Sequence, residues 1–485
     1  MLYSHSVATK QYKQLHLLTY SKKKRYLPII CNRLQLAYTT HWETRKNMNS
    51  TLLRGVLVGG LAGLLFGFDT AVIAGTTQGL SAAFHLDPAA LGWTVSSALW
   101  GTLIGALVAG LPGDAFGARN CLRVIALMYV ASGIGSFCAT SLPVLIAARV
   151  LGGLAIGASS VLAPTYLAEI APARMRGALV GMFQLNIVFG ILVAYLSNYL
   201  IGTLDLGDAE WRWKFGVTIL PSLILWLLLY TIPNSPRWLA VKDRLDEARK
   251  VLRQIGVPQP DTELALYQRQ HLEHKGVKVR LSWKAYARPM LLAIAIAGFN
   301  QLSGINAILY YLNDIFAAAG FAKVSADLQS VIIGATNLAF TLLALTVIDR
   351  AGRKTLLLIG SVGLVISLAG TAFIQLTSTH QNYLLWMLIL FIASFAFSQG
   401  AVIWVYIAEI FPTEVRSRGQ GLGASTHWFM DAVIATAFPL VAAYSKGLPF
   451  VFFAAAMAVQ FLVVLKFFPE TKGATLEEIH LGGKA

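Results

Sequence analysis

The chain has 485 residues, 56% hydrophobic and only 13% charged, with a mean hydropathy of +0.62. Soluble domains carry nearly twice that charge, so the composition excludes an ordinary soluble globule and implies a polytopic membrane protein. The net charge of +16 is spread loop by loop rather than gathered in a patch, which excludes nucleic acid as the partner.

Residues 1–50 are polar and carry nine Lys or Arg against the single acid Glu43, including Lys22-Lys23-Lys24-Arg25. They hold no apolar core of signal-peptide form. This arm is expected either to touch anionic lipid or to precede the true start, with Met48 opening the chain just ahead of the first span. Twelve apolar runs of membrane-crossing length follow, near 55–80, 90–111, 122–140, 143–168, 178–201, 213–232, 289–318, 328–348, 355–376, 383–408, 419–443 and 447–468. They predict an N-terminal six-helix bundle over 51–234 and a C-terminal one over 287–469. Between them, 235–286 is polar and reads as short amphipathic helices, with Leu245, Ala248, Val251 and Leu252 interleaved among charges. A tail over 470–485 closes the chain.

Loops on the side of the N-terminus hold Arg119, Arg123, Arg174, Arg176, Arg350, Arg353, Lys354, Arg416 and Arg418, and 233–288 adds twelve Lys or Arg. The opposite loops hold only Arg212, Lys214, Lys323 and Lys446. That asymmetry predicts both termini in the cytoplasm. Cys31, Cys121 and Cys138 give neither a disulfide framework nor metal-ligand spacing. No metal or cofactor is expected.

In the first span, Phe66-Gly67-Phe68-Asp69-Thr70 places a carboxylate at bilayer depth, a functional hypothesis whose partner must be named. The candidate is Arg149 in the fourth span, beside Gly152, Gly153 and Gly157, which let helices approach closely. Such a pair can alternate between an ionised, bonded form and a protonated, open form. It can also be a static ion pair. Gln184 in the fifth span is a further candidate ligand amide.

The seventh run carries Asn300, Ser303, Asn306, Tyr310 and Asn313 at spacings of three, three, four and three, one stripe of a helix. Gln301 lies off that stripe, and Gly304 permits a break that would turn it inward. An uncharged stripe of amides and phenols suits a neutral polyhydroxylated ligand, against the alternative of glue between helices. Trp404 and Trp428 could stack on the apolar faces of such a ligand. Asn337, Gln399, His427 and Asp431 are the other polar groups within later spans.

The second half repeats the first. Tyr406-Ile407-Ala408-Glu409-Ile410-Phe411-Pro412 falls 240 positions after Tyr166-Leu167-Ala168-Glu169-Ile170-Ala171-Pro172. Asp349-Arg350-Ala351-Gly352-Arg353 mirrors the loop Gly113-Asp114-Ala115-Phe116-Gly117-Ala118-Arg119, and Pro469-Glu470-Thr471-Lys472-Gly473 answers Pro233. A duplicated six-span unit is implied. Asp114, Arg119, Glu169 and Arg176 in one half, with Asp349, Arg350, Arg353, Glu409 and Arg416 in the other, are placed to form a breakable cytoplasmic latch.

Five stretches in family order, Gly67-Phe68-Asp69-Thr70, Pro233-Asn234-Ser235-Pro236-Arg237-Trp238, Asn300-Gln301-Leu302-Ser303-Gly304-Ile305-Asn306, Asp349-Arg350-Ala351-Gly352-Arg353 and Pro469-Glu470-Thr471-Lys472-Gly473, resemble the sugar porter family of the major facilitator superfamily. The resemblance covers about residues 50–480. It implies an all-α fold of twelve transmembrane helices in two pseudo-symmetric six-helix bundles, alternating access, and a central hexose or pentose site. By matching position it implies Gln184, Asn300, Gln301, Asn306 and Asn337 as sugar ligands, with Trp404 beneath the ring. Phe66, Tyr310 and Phe395 would line or gate the cavity.

Asp69 and Arg149 match the proton-coupling pair of bacterial xylose symporters. The chain departs from the family at Asn300, where a Gln is usual, at Ala401, where Pro is usual, and at His427, where an amide is usual; Asp431 stands where some members carry Asn. Ala115 and Ala118 replace two basic residues of the first latch loop. The reading is a proton-coupled monosaccharide importer of a bacterial-type inner membrane that works as a monomer, with an uncoupled facilitator as the alternative and a sugar sensor as a more distant one. No Walker-type phosphate loop and no converging nucleophile–base set is present, which argues against a pump or an enzyme.

Overall fold

Capping chemistry marks where loops hand over to membrane helices. The computed structural model describes residues 50–172, 175–274, 281–412 and 414–472. The arm at 1–49 with its Met48, the tail from 473 and the side chain of Arg176 lie outside the described residues. The Asp87 carboxylate accepts from Ala90 N at 2.7 Å and Pro88 follows it, a start that fills an otherwise orphaned donor. In the first half, α1 is Ser50–Ala71, α2 Pro88–Val108, α3 Ala118–Cys138, α4 Leu142–Ile170 and α5 Arg176–Gly202.

The run near 213–232, predicted as one span, is two helices in series, α6 Glu210–Gly216 and α7 Ile219–Leu228. Pro221 has no N–H for the carbonyl of Val217, and the Thr218 and Ser222 hydroxyls donate instead to Phe215 O at 2.6 Å and Thr218 O at 2.7 Å. Eleven other helical segments among the described residues are long and apolar enough to cross a membrane.

The second half runs α8 Trp283–Leu302, α9 Ile305–Tyr310, α10 Leu312–Ala318, α11 Lys323–Ala351, α12 Arg353–Thr377, α13 Leu384–Phe397, α14 Gln399–Ile410, α15 Arg416–Tyr444 and α16 Leu448–Phe467. Although Ala401 stands where the family has Pro, the tenth run still breaks, at Ser398 (φ −117°, ψ −90°), whose hydroxyl donates to Ser394 O at 2.6 Å. Between the halves, helices at Pro236–Val241, Leu245–Gln254 and Pro260–His274 share an apolar core of Leu239, Ala248, Leu252 and Leu264. The alternation read at 245–252 thus buries one face of a helix.

The internal repeat is physical. Tyr166 OH donates to Pro233 O at 2.9 Å and Tyr406 OH to Pro469 O at 3.2 Å, the same bond in each half. Each half packs on itself through α2–α4, α3–α4 and α3–α7, or through α12–α16, α12–α13 and α11–α13. The halves meet through α2–α15 and α5–α11. Large apolar side chains such as Leu107, Leu111, Val124, Leu220, Ile359, Phe373 and Leu462 remain exposed around this all-α body, a surface that suits lipid. The chain is a multi-pass membrane protein.

Close helix approach depends on missing side chains. A Cβ on Gly153 would lie 1.9 Å from Ala98 O, so α4 sits against the backbone of α2. Gly153→Val is expected to force these helices apart and cost about 1–3 kcal/mol or more. Gly298→Ala, where a Cβ meets nothing within 4 Å, should leave stability unchanged. Thermal loss of the monodisperse peak on size exclusion, compared between the two variants, measures the difference.

Candidate functional site

The seventh run is cut at Gly304, whose φ of +80° and whose approach to the Phe453 ring (a Cβ would lie 2.3 Å from it) leave room for glycine alone. Ser303 closes the end of α8, its hydroxyl donating to Asn300 O at 2.6 Å. Residues five apart on an unbroken helix point about 140° away from each other. Across this break, however, Asn306 Nδ2 donates to Gln301 Oε1 at 3.2 Å. Gly304 therefore brings Gln301 onto the face of Asn306.

From there a polar network crosses to α15. Gln301 Nε2 lies 3.0 and 3.1 Å from the two ring nitrogens of His427, one of which can accept. Asn306 Nδ2 donates to Asp431 Oδ2 at 2.9 Å, and Tyr310 OH donates to the same oxygen at 3.0 Å. Asn300 is buried, with its Oδ1 at 3.5 Å from Gln301 Nε2. The aromatic walls follow: the Trp404 ring lies 5.2 Å from His427, Trp428 packs edge-on to His427 at 5.0 Å, and Phe66 of α1 lies 5.7 Å from Trp428.

Phe395 sits beside Gly400 at the break between α13 and α14. Gln184, half-buried on α5, and Asn337, buried on α11, take no part in this bonded network. The stripe read along 300–313 is shared out: Ser303 is spent on a helix end and Asn313 turns to Asp327 and Ser330. Asp431, absent from the expected ligand set, is the acceptor at the centre. Its spacing of four from His427 puts both on one face of α15.

Asp69 and Arg149 meet across the first half. Arg149 Nη1 donates to Asp69 Oδ1 at 2.8 Å and Nη2 to the Asp69 carbonyl at 3.2 Å. Both are buried, the guanidinium lies 5.1 Å from the Phe215 ring, and Asp69 Oδ2 has no hydrogen-bond partner. A narrow cavity touches Asp69, Thr70, Val95, Ala98, Arg149 and also Tyr310. The ion pair and the amide network thus border one space.

At the inner end, by the positive-inside assignment, the charges bond within each half. Arg353 pairs with Glu409 at 2.9 Å and Asp349 at 3.1 Å, and its N–H donates to Glu470 Oε1 at 2.8 Å. Thr471 Oγ1 donates to Glu409 at 2.6 Å. Arg119 donates to Ile232 O at 3.0 Å, Trp238 Nε1 to Asp114 O at 3.1 Å, and Glu169 lies within the influence of Ser235 and Arg237. Arg416 donates to Phe411 O at 3.4 Å, and Arg350 lends its carbonyl to Lys472. The ion pairs of Arg353 join parts of the C-terminal half.

A family profile described as "Sugar (and other) transporter" matches residues 56–482. The D-xylose-proton symporter of Escherichia coli K12 is 34% identical over 464 residues, covering 87% of this chain and 94% of the relative. The chain belongs to the sugar porter family.

The arabinose-proton symporter of Bacillus subtilis is 37% identical over 432 residues, covering 87% of this chain and 92% of the relative. Among solved structures, the partially occluded inward-open form of the xylose transporter XylE from E. coli superposes with a TM-score of 0.79 at 32% identity, covering 88% of this chain and 100% of that one. XylE bound to 6-bromo-6-deoxy-D-glucose, described as a major facilitator superfamily proton:xylose symporter, gives 0.73 at 32% identity, covering 90% and 99%. This sugar porter has the major facilitator fold, and its family is one of transporters rather than enzymes.

A buried carboxylate stripped of its cation costs about 3–5 kcal/mol, whereas removing both charges costs far less. Arg149→Met should therefore unfold at a clearly lower temperature than the parent in detergent, and Arg149→Met combined with Asp69→Asn should recover most of the loss. Equal loss in both would show that the pair contributes no coupled stabilisation.

Proposed function

We propose that this sugar porter imports a monosaccharide together with a proton, by alternating access of its two halves to a site at the seam. The observation that carries the reading is the shared cavity: Asp69, with one unpartnered carboxylate oxygen, and Tyr310, anchored in the amide network, border the same space. Relatives described as D-xylose-, arabinose- and galactose-proton symporters support it.

The sugar is held by Gln301, Asn306, Asn300 and His427, with Gln184 and Asn337 closing on it from α5 and α11 and Trp404 and Trp428 against its ring. Phe66, Tyr310 and Phe395 line the way in. A proton entering the cavity adds to Asp69 Oδ2, removes the charge that fixes Arg149, and releases α4 from α1. Loss of that anchor biases the halves toward the opposite access state. Once the site faces inward and the proton leaves, the pair reforms.

When the inner end closes, Asp114, Arg119, Glu169 and Arg176 face Asp349, Arg350, Arg353, Glu409 and Arg416 and latch it. The protein lies in the cell's inner membrane with both termini in the cytoplasm and works as a monomer within lipid.

The test is transport in proteoliposomes with xylose and glucose. The parent protein should concentrate one sugar against its gradient when the outside is acidified. Asp69→Asn should still exchange labelled for unlabelled sugar yet fail to concentrate it. Concentration by Asp69→Asn would remove Asp69 from the coupling, and a parent that equilibrates sugar without ever concentrating it is a facilitator. Gln301→Ala and Asn306→Ala should each raise the half-saturating sugar concentration by about tenfold, the loss of one or two hydrogen bonds, in the same assay.

A further inference from the structure

At the outer end of the seam, four charged side chains contact one another and are used by neither the amide network nor the Asp69–Arg149 pair. Lys214 of α6 is fully buried, with Nζ at 2.7 Å from Glu210 Oε1 and 3.4 Å from Asp327 Oδ2, and it donates to Gly75 O at 2.9 Å. Lys323 Nζ lies 2.6 Å from Glu210 Oε2. Asn313 donates to Asp327 Oδ1 and accepts from Ser330 at 2.6 Å.

The charges balance, two cations against two anions, and they are divided by the seam. Glu210, Lys214 and Gly75 belong to the first half; Asp327, Lys323 and Asn313 belong to the second. Fixing two helices within one half permanently would need no such arrangement, since a buried ion pair gains little over well-packed apolar side chains. A contact that has to part is different. Attraction and desolvation nearly cancel in the closed state, and water rehydrates all four groups once the seam opens, so the contact can break without a large penalty.

Two further hydrogen bonds between the halves lie toward the same end: Tyr195 OH donates to Leu309 O at 2.9 Å and Thr436 Oγ1 to Ser96 Oγ at 2.8 Å. These contacts hold the outer end closed in this structure.

We propose that Lys214 and Asp327, extended by Glu210 and Lys323, form the outer lock of the transport cycle, made while the site faces inward and broken when it opens outward. The proposal rests on alternating access but not on which sugar moves or on proton coupling.

The test is a distance across the outer end of the full-length protein in lipid nanodiscs, without sugar and without a pH gradient. Spin labels are placed through Asp208→Cys and Thr379→Cys, with Cys31, Cys121 and Cys138 replaced by Ser. Lys214→Met and Asp327→Asn should each raise the ratio of long to short distances by about tenfold, because each leaves the four-group cluster with one unbalanced charge in the closed state. Lys323→Ala, at the half-exposed edge, should move it the same way by less, and it carries the test if Lys214→Met does not fold. The double variant Lys214→Met with Asp327→Leu should return within about twofold of the parent, since apolar side chains of similar volume tolerate the closed state.

Unchanged distances in Asp327→Asn and Lys323→Ala would overturn the lock. So would single-variant shifts that merely add in the double variant. A protein that moves sugar without protons would still show these shifts, and a proton symporter lacking the lock would not.

Discussion

Acidic and basic groups at bilayer depth must meet a counter-charge or hydrogen-bonding partners inside the protein, and nearly everything about this molecule's seam follows from how that requirement is met. Asp69 and Arg149 meet it with one carboxylate oxygen bonded and the other free. A fully satisfied pair would be inert. One with a spare acceptor, on a residue that lines a cavity, can take a proton without first being dismantled, and the same cavity reaches Tyr310 and through it the amides of α8 and α9. The ion pair and the amide network are thus adjacent because both sets of polar groups are expelled from lipid into one interior space.

The second constraint is backbone rather than charge. Gly304 breaks the seventh run, and only because of that break do Gln301, Asn306 and Asp431 share a bonded network. The tenth run breaks at Ser398 by a different device, a hydroxyl returned to its own helix, at the level where the family uses Pro. The break at Gly304 lies where side chains converge on the seam, and the one at Ser398 packs against Gly360 of α12. Irregular backbone at membrane depth is tolerated where it lines such a space.

The apolar runs, the duplicated Tyr–Pro framework and the Asp69–Arg149 contact were legible in the sequence because each depends on a feature that stands alone in its surroundings. A single acid and a single arginine in otherwise apolar spans have few other partners. Lys214 and Asp327 were not legible, because both sit at predicted span ends, where charged residues are ordinary, and 113 positions separate them. Asp431 was visible only as a neighbour of His427; its bonds to Asn306 and Tyr310 arise from the turn at Gly304, which hydropathy does not encode. The split between α6 and α7 escaped for the converse reason, since an averaged apolar window passes over Pro221 without registering it. The inner-end arginines carried a topological signal that says nothing of their partners, and their bonds within each half came from the fold alone.

Co-entry of a proton with sugar is the central claim, and current on a solid-supported membrane measures it most directly. Adding sugar at equal pH to adsorbed proteoliposomes should give an inward positive current that grows with sugar concentration and persists at zero initial gradient, because each neutral sugar brings one positive charge. The same addition to Asp69→Asn should give none while labelled sugar still exchanges. An electrically silent parent that nevertheless carries labelled sugar would contradict the claim and leave the Asp69–Arg149 pair as structure alone.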